Sequence, residues 1–127
     1  MKISHPPVVH QDHRGEITDI VEKIDFSYAT IITSKAGVER GNHYHKKTTQ
    51  YTYLLTGKLR ALSQFPDQPV KSAILNPGDL IENEPGESHA LIAVEDSSFL
   101  VLTCGERGGK NYENDTFRLE KPLSSLL

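Results

Sequence analysis

A chain of 127 residues with a hydrophobic fraction of 36% can build one proper hydrophobic core. It has no apolar run long enough for a transmembrane helix, and a single cysteine leaves no disulfide framework. A formal net charge of −3 argues against a module that binds nucleic acid by neutralising phosphates.

The N-terminal MKISHPPVVHQDH lacks the apolar stretch of a signal peptide, so a cytoplasmic protein is expected. Lone Cys104 fits that reducing compartment, and its run FLVLTC reads as core around an inert thiol. Residues 1–10 are polar and proline-bearing, suited to an arm that crosses onto a partner subunit. Asp12 to Gly15 reads as a turn, followed by strands at Ile17–Lys23 and Tyr28–Ser34. Lys35-Ala36-Gly37 turns the chain into the histidine-bearing segment GVERGNHYHKKTTQYTYLLTG, residues 37–57.

Within that segment Gln50, Thr52 and Leu54 alternate with Tyr51, Tyr53 and Leu55, the pattern of a half-buried strand. Thr56-Gly57-Lys58 reads as a tight hairpin, with Leu59–Gln64 as the returning strand. Val70–Leu75 and Leu80–Asn83 follow, separated by the Asn76-Pro77-Gly78-Asp79 turn. Ser88–Val94 and Ser98–Thr103 read as two strands around Glu95-Asp96, and Phe117–Leu119 as a short last one. Beyond one turn near the C-terminus there is no helical periodicity. Many short strands between glycine and proline turns predict an all-β sandwich or barrel in a single domain, residues 1–127.

His43 and His45 are two residues apart, so on an extended strand they leave the same face. With His89 on a later strand and the amide of Gln50, they could hold a metal ion or perform acid–base chemistry. His5, His10 and His13 have no matching spacing and receive no role. The glycine-rich GERGGK, residues 105–110, lacks the context of a phosphate loop and reads as a loop near the barrel mouth.

These spacings resemble the cupin superfamily of jelly-roll barrels. The first cupin motif, G-x5-H-x-H-x3,4-E-x6-G, is matched by Gly37, His43, His45, Gln50 and Gly57, with glutamine in place of glutamate. The second, in residues 78–93, is matched by Gly78, Gly86 and His89, while Glu84 and Ala93 depart from it. RGNHYHKKTTQ further resembles nucleotide-sugar 3,4-ketoisomerases and the cupin domains of capsular-polysaccharide reductases. The HQDHRGEITDI opening is similar to that of the 3,5-epimerases.

The resemblance implies a cupin β-barrel, in all expectation a homodimer, that isomerises or epimerises a nucleotide-linked keto-sugar. His43 and His45 would then be acid–base groups. Alternatively, His43, His45, Gln50 and His89 would ligate a divalent transition metal (Zn, Fe, Mn or Ni). A tyrosine, Tyr28, Tyr51 or Tyr53, could protonate an enolate oxygen, although Tyr51 and Tyr53 fall on the face opposite Gln50. A nucleotide sugar's diphosphate calls for a basic clamp, for which Arg40 and Arg60, then Arg14, are the candidates; Lys46 and Lys47 read as solvated charge. Two other functions fit the same motifs: a metal-dependent oxygenase or lyase, and a non-catalytic sugar- or ligand-binding cupin.

Overall fold

A computed structural model describes residues 1–105 and 113–127. Among these residues ten strands follow in order: β1 (Lys2–Ser4), β2 (Val8–Asp12), β3 (Gly15–Thr18), β4 (Tyr28–Ser34), β5 (Glu39–Tyr44), β6 (Thr49–Gln64), β7 (Lys71–Leu75), β8 (Leu80–Asn83), β9 (Ser88–Cys104) and β10 (Phe117–Arg118). A short 3-10 turn, Leu123–Leu126, closes the chain. None of the described helices is long and apolar enough to cross a membrane. Eight strands form one antiparallel sheet, with β6 and β9 at its centre, and the sheet folds into a jelly-roll barrel. β2 and β3 form a separate hairpin.

Two sequence expectations are corrected. Thr56-Gly57-Lys58 is no hairpin: β6 runs unbroken through Gly57, and both of its halves pair with β9. Likewise Ser88–Val94 and Ser98–Thr103 are one strand, with Glu95-Asp96 inside it. Register shifts lie between Leu54 and Thr56, Thr56 and Lys58, and Lys58 and Leu59. Each shift bends the strand and strengthens its twist, so one long pair turns a corner that two hairpins would otherwise have made. Gly57 has positive φ at the corner, as a turn would need, but it serves a bulge.

The corner also resets which residues face inward. Leu54 is buried before it, and Leu59 and Ala61 after it. These pack with Leu75, Ile81, Ala93, Phe99 and Val101 into the principal core. A smaller cluster of Leu62, Ala90 and Leu123 ties the C-terminal turn to the barrel. The arm expected from residues 1–10 divides: Lys2–Ser4 pair with β8 of their own barrel, whereas β2 joins the exposed hairpin. The strand expected at Ile17–Lys23 ends early, at Thr18.

Candidate functional site

The site begins with a bulge in β5. Arg40 pairs with Leu91 and Gly41 with Ala90, but it is His43, not Asn42, that pairs with His89. Strict alternation would place residues 40 and 43 on opposite faces; the extra residue brings Arg40 and His43 to the same cavity. Asn42 takes the positive φ at the bulge, a conformation asparagine tolerates better than most residues. The C-terminal segment holds it there: Leu123 N–H donates to Asn42 Oδ1 (2.8 Å), and Leu119 N–H to its carbonyl (2.9 Å).

His43, His45 and His89 are all buried, with candidate ligand nitrogens lying within 4.8 Å of one another. The ring centroids of His43 and His45, and of His43 and His89, are 4.8 Å apart. His45 Nδ1 lies 2.6 Å from the Asp115 carbonyl oxygen, and His89 Nδ1 3.2 Å from that of Glu87. A carbonyl only accepts, so both Nδ1 atoms carry hydrogen, and in a neutral ring Nε2 is the lone-pair nitrogen. That is the tautomer needed by a metal ligand and equally by a general base.

His45 Nε2 meets the Gln50 amide at 3.3 Å. Glutamine can face a neutral imidazole with its NH₂, or an imidazolium with its oxygen, by turning half a circle. An ionised glutamate could serve only the charged ring.

The cavity, about 190 Å³, is lined by His43, Gln50, Asn83, His89, Arg40, Thr116, Arg118 and the apolar Ile32, Leu91, Phe99 and Val101, among others. His45 is not among the lining residues but meets Gln50, which is. Of the expected residues, the structure therefore brings together His43, His45, His89, Gln50 and Arg40. Arg60 does not join them: the β6 corner puts it on the outer face, exposed, while Leu59 and Ala61 face in. Arg14 sits in the β2–β3 turn, its guanidinium paired with Asp12 (2.6 Å). Tyr28, Tyr51 and Tyr53 are not among the cavity residues, so the expected tyrosine donor is not at hand.

Lys46 and Lys47 are exposed, and the Lys46 ammonium sits over the Phe117 ring (4.2 Å to its centroid). His5 and His10 pair with Asp79 and Asp12 on the surface. Cys104 is half-buried at the end of β9; burial, then Asp25 and Glu82, push its thiol pKa up, which suits an inert role. Of the glycine-rich stretch, residues 106–110 lie outside the described residues.

Sequence reasoning missed Asp115, Arg118 and Asn83. Arg118 is opposite His43 on β10, a strand of two residues with no periodicity to reveal it. Buried Asp115 anchors the loop after the histidine pair: its carboxylate accepts from Lys46 N–H and Lys47 N–H (both 2.9 Å) and the Thr48 hydroxyl (2.8 Å). Burial alone would raise its pKa; the two backbone amides, the Thr48 hydroxyl and nearby His45 outweigh this and hold it below the ordinary carboxylate range.

A depressed carboxylate stabilises the fold above its unfolded pKa of about 3.9, and this contribution is lost as the pH falls through the lower folded value. Asp115→Asn should therefore be less stable than the parent at pH 7, with the gap narrowing below about pH 4 in urea titrations. A gap independent of pH would refute the assignment.

The fold and the histidine-lined cavity together define a cupin-type barrel. The profile of the polysaccharide biosynthesis C-terminal domain matches residues 10–117, and the chain belongs to that family. It is 24% identical over 122 residues to the UDP-2-acetamido-2,6-beta-L-arabino-hexul-4-ose reductase of Pseudomonas aeruginosa, covering 94% of this chain. The chain spans only 31% of the length of that reductase.

Among solved structures, a mutant 3,4-ketoisomerase QdtA from Thermoanaerobacterium thermosaccharolyticum, in complex with TDP-4-keto-6-deoxyglucose, superposes with a TM-score of 0.75 at 25% identity, over 93% of this chain and 86% of that one. An epimerase from Mycobacterium tuberculosis shares the fold: TM-score 0.76 at 19% identity, over 92% of this chain and 67% of that one.

Proposed function

We propose that this domain isomerises or epimerises a nucleotide-linked keto-sugar in the cytoplasm, using His43 as the acid–base group. The observation that carries the reading is the pairing of His43 with His89 in a small cavity flanked by Arg40 and Arg118. Such a reaction removes a proton from the carbon next to a carbonyl and returns one to the same carbon or its neighbour. Imidazole titrates near neutrality, so one ring can take the proton and give it back. His45, acting through Gln50, and the His89 ring beside it would orient that chemistry.

A cavity of about 190 Å³ is smaller than the ~300–1,000 Å³ of sites that enclose a whole drug-sized ligand. It suits the sugar ring and leaves the nucleotide at the mouth, where a guanidinium can take phosphate oxygens in pairs. Similarity to a ketoisomerase that binds TDP-4-keto-6-deoxyglucose supports this choice of substrate. The test is to incubate the protein with TDP-4-keto-6-deoxyglucose in D₂O and follow ring protons by NMR. Exchange or conversion supports the reading, and an inert sugar overturns it. The match to the reductase favours a second reading, in which the domain serves the sugar of a fused or partner reductase; exchange only in that enzyme's presence would select it.

The same side chains fit a divalent transition metal. His43, His45 and His89 offer three imidazoles, two with Nδ1–H held by backbone carbonyls, and Gln50 adds an amide. Bound there, Zn, Fe, Mn or Ni would polarise the substrate carbonyl. Protein purified without nickel affinity should carry about one metal per chain, lost in the His43→Ala/His45→Ala double variant. Wild type no richer in metal than that variant, even after metal is offered, would sink the metal reading.

The β2–β3 hairpin argues for a homodimer. Among the described residues it pairs with no other strand; it exposes Val8, Val9 and Ile17, and two strands alone are marginal in water. Sedimentation should give twice the 14.2 kDa chain mass, and Val9→Asp/Ile17→Asp should halve it. A monomeric wild type would refute the dimer.

A further inference from the structure

We propose that Asn83 is a specificity residue, reading a non-reacting hydroxyl of the sugar, with its amide held in one orientation by buried Glu87. The inference rests on the keto-sugar reading above. Asn83 ends β8 and lines the same cavity as His43 and His89 while only 5% exposed. It lies directly opposite Gln50 across the β6–β8 pair, and residues opposed in an antiparallel ladder present their side chains to one face.

A buried amide beside the apolar Phe99 and Val101 wall is costly unless its hydrogen-bonding groups are used. One is used within the protein: Asn83 Nδ2 donates to Glu87 Oε1 (3.1 Å), which also takes the Glu84 N–H (3.2 Å). Glu87 is itself only 1% exposed and meets the Met1 amino group through Oε2. A carboxylate oxygen accepts, so the Asn83 atom facing it is nitrogen, and the amide oxygen is the opposite end.

The cavity wall thus holds two neutral amides on directly opposed residues: Gln50, which meets His45, and Asn83, which is tied to Glu87. An amide with both an acceptor and a donor fits a hydroxyl, which can give and take a hydrogen bond. A methylene at that place would strand the buried amide. In a 4-keto-6-deoxyhexose the hydroxyl beside the ketone belongs to the reacting pair. The 2-hydroxyl is the ring hydroxyl left to be read.

The test compares wild type, Asn83→Leu and the milder Asn83→Ser. Calorimetry with TDP alone reports folding and the nucleotide subsite; kcat/KM is measured with TDP-4-keto-6-deoxyglucose and with its 2-deoxy analogue. Asn83→Leu should lose about 100-fold in kcat/KM on the hydroxyl-bearing sugar, keep TDP affinity within about twofold, and no longer prefer that sugar to the analogue. Asn83→Ser, with a shorter polar group, should lose about tenfold and bind TDP normally, which keeps the test open should the leucine variant not fold. Equal losses on both sugars, or no loss, would overturn the specificity role. A wild type that binds TDP but turns over neither sugar would instead overturn the keto-sugar reading, and this inference with it.

Discussion

His43→Gln should lower exchange of the sugar's ring proton by about 10²–10⁴-fold while leaving the affinity for TDP nearly unchanged. Glutamine keeps a polar side chain in a buried position, so the change removes a titrating ring rather than the wall of the cavity. The effect should exceed that of any arginine substitution at the mouth, which would appear mainly in KM. The NMR exchange assay in D₂O reads it directly. A rate within threefold of wild type would remove His43 from acid–base duty and assign the proton transfer to another group. Metal content of the same variant separates a lost base from a lost ligand.

Gly57→Ala should cost about 4 kcal/mol of stability, among the largest single-residue effects expected outside the site. The glycine sits at φ +92°, and a Cβ there would lie 2.2 Å from Ser97 Oγ, 2.4 Å from the Asp96 carbonyl oxygen and 2.7 Å from Ser97 Cα. Two of those three atoms are backbone of β9, so relief requires parting the two longest strands at the corner they share. Gly86→Ala is the matched control: its φ is +83°, but a Cβ there would meet nothing within 4 Å. It should lose only the conformational term, about 1–2 kcal/mol. Urea unfolding of both variants decides the matter, and equal losses would show that close approach is not what Gly57 provides.

The histidine site was legible because its main signals are local. Two residues apart on a strand means one face, so spacing by itself pairs His43 with His45. Spacing likewise added Gln50 and His89 through the cupin resemblance. The placement of Tyr51 and Tyr53 on the other face came from the same alternation, and neither lines the cavity. Alternation failed where the backbone breaks its own period. It would have separated Arg40 from His43, and nearness to the motif in sequence had made Arg60 as plausible a clamp as Arg40. The bulge at Asn42 and the register shifts around Gly57 decide both cases.

Asp115, Asn83 and Glu87 were invisible for a different reason. Each is polar, isolated in sequence and ordinary in its local pattern; each acquires a role from a chain segment brought to it by the fold. Asp115 reaches Lys46, Lys47 and Thr48 from nearly seventy residues away. Local spacing along the chain thus determined the all-β class, the histidine pair and its likeness to cupins, since side-chain direction on a strand follows from backbone geometry alone. Tertiary structure alone decided which arginines face the cavity, which carbonyls orient the imidazoles, and that two apparent hairpins are long bent strands. Those outcomes depend on pairing energies between distant segments and on where a bulge is tolerated.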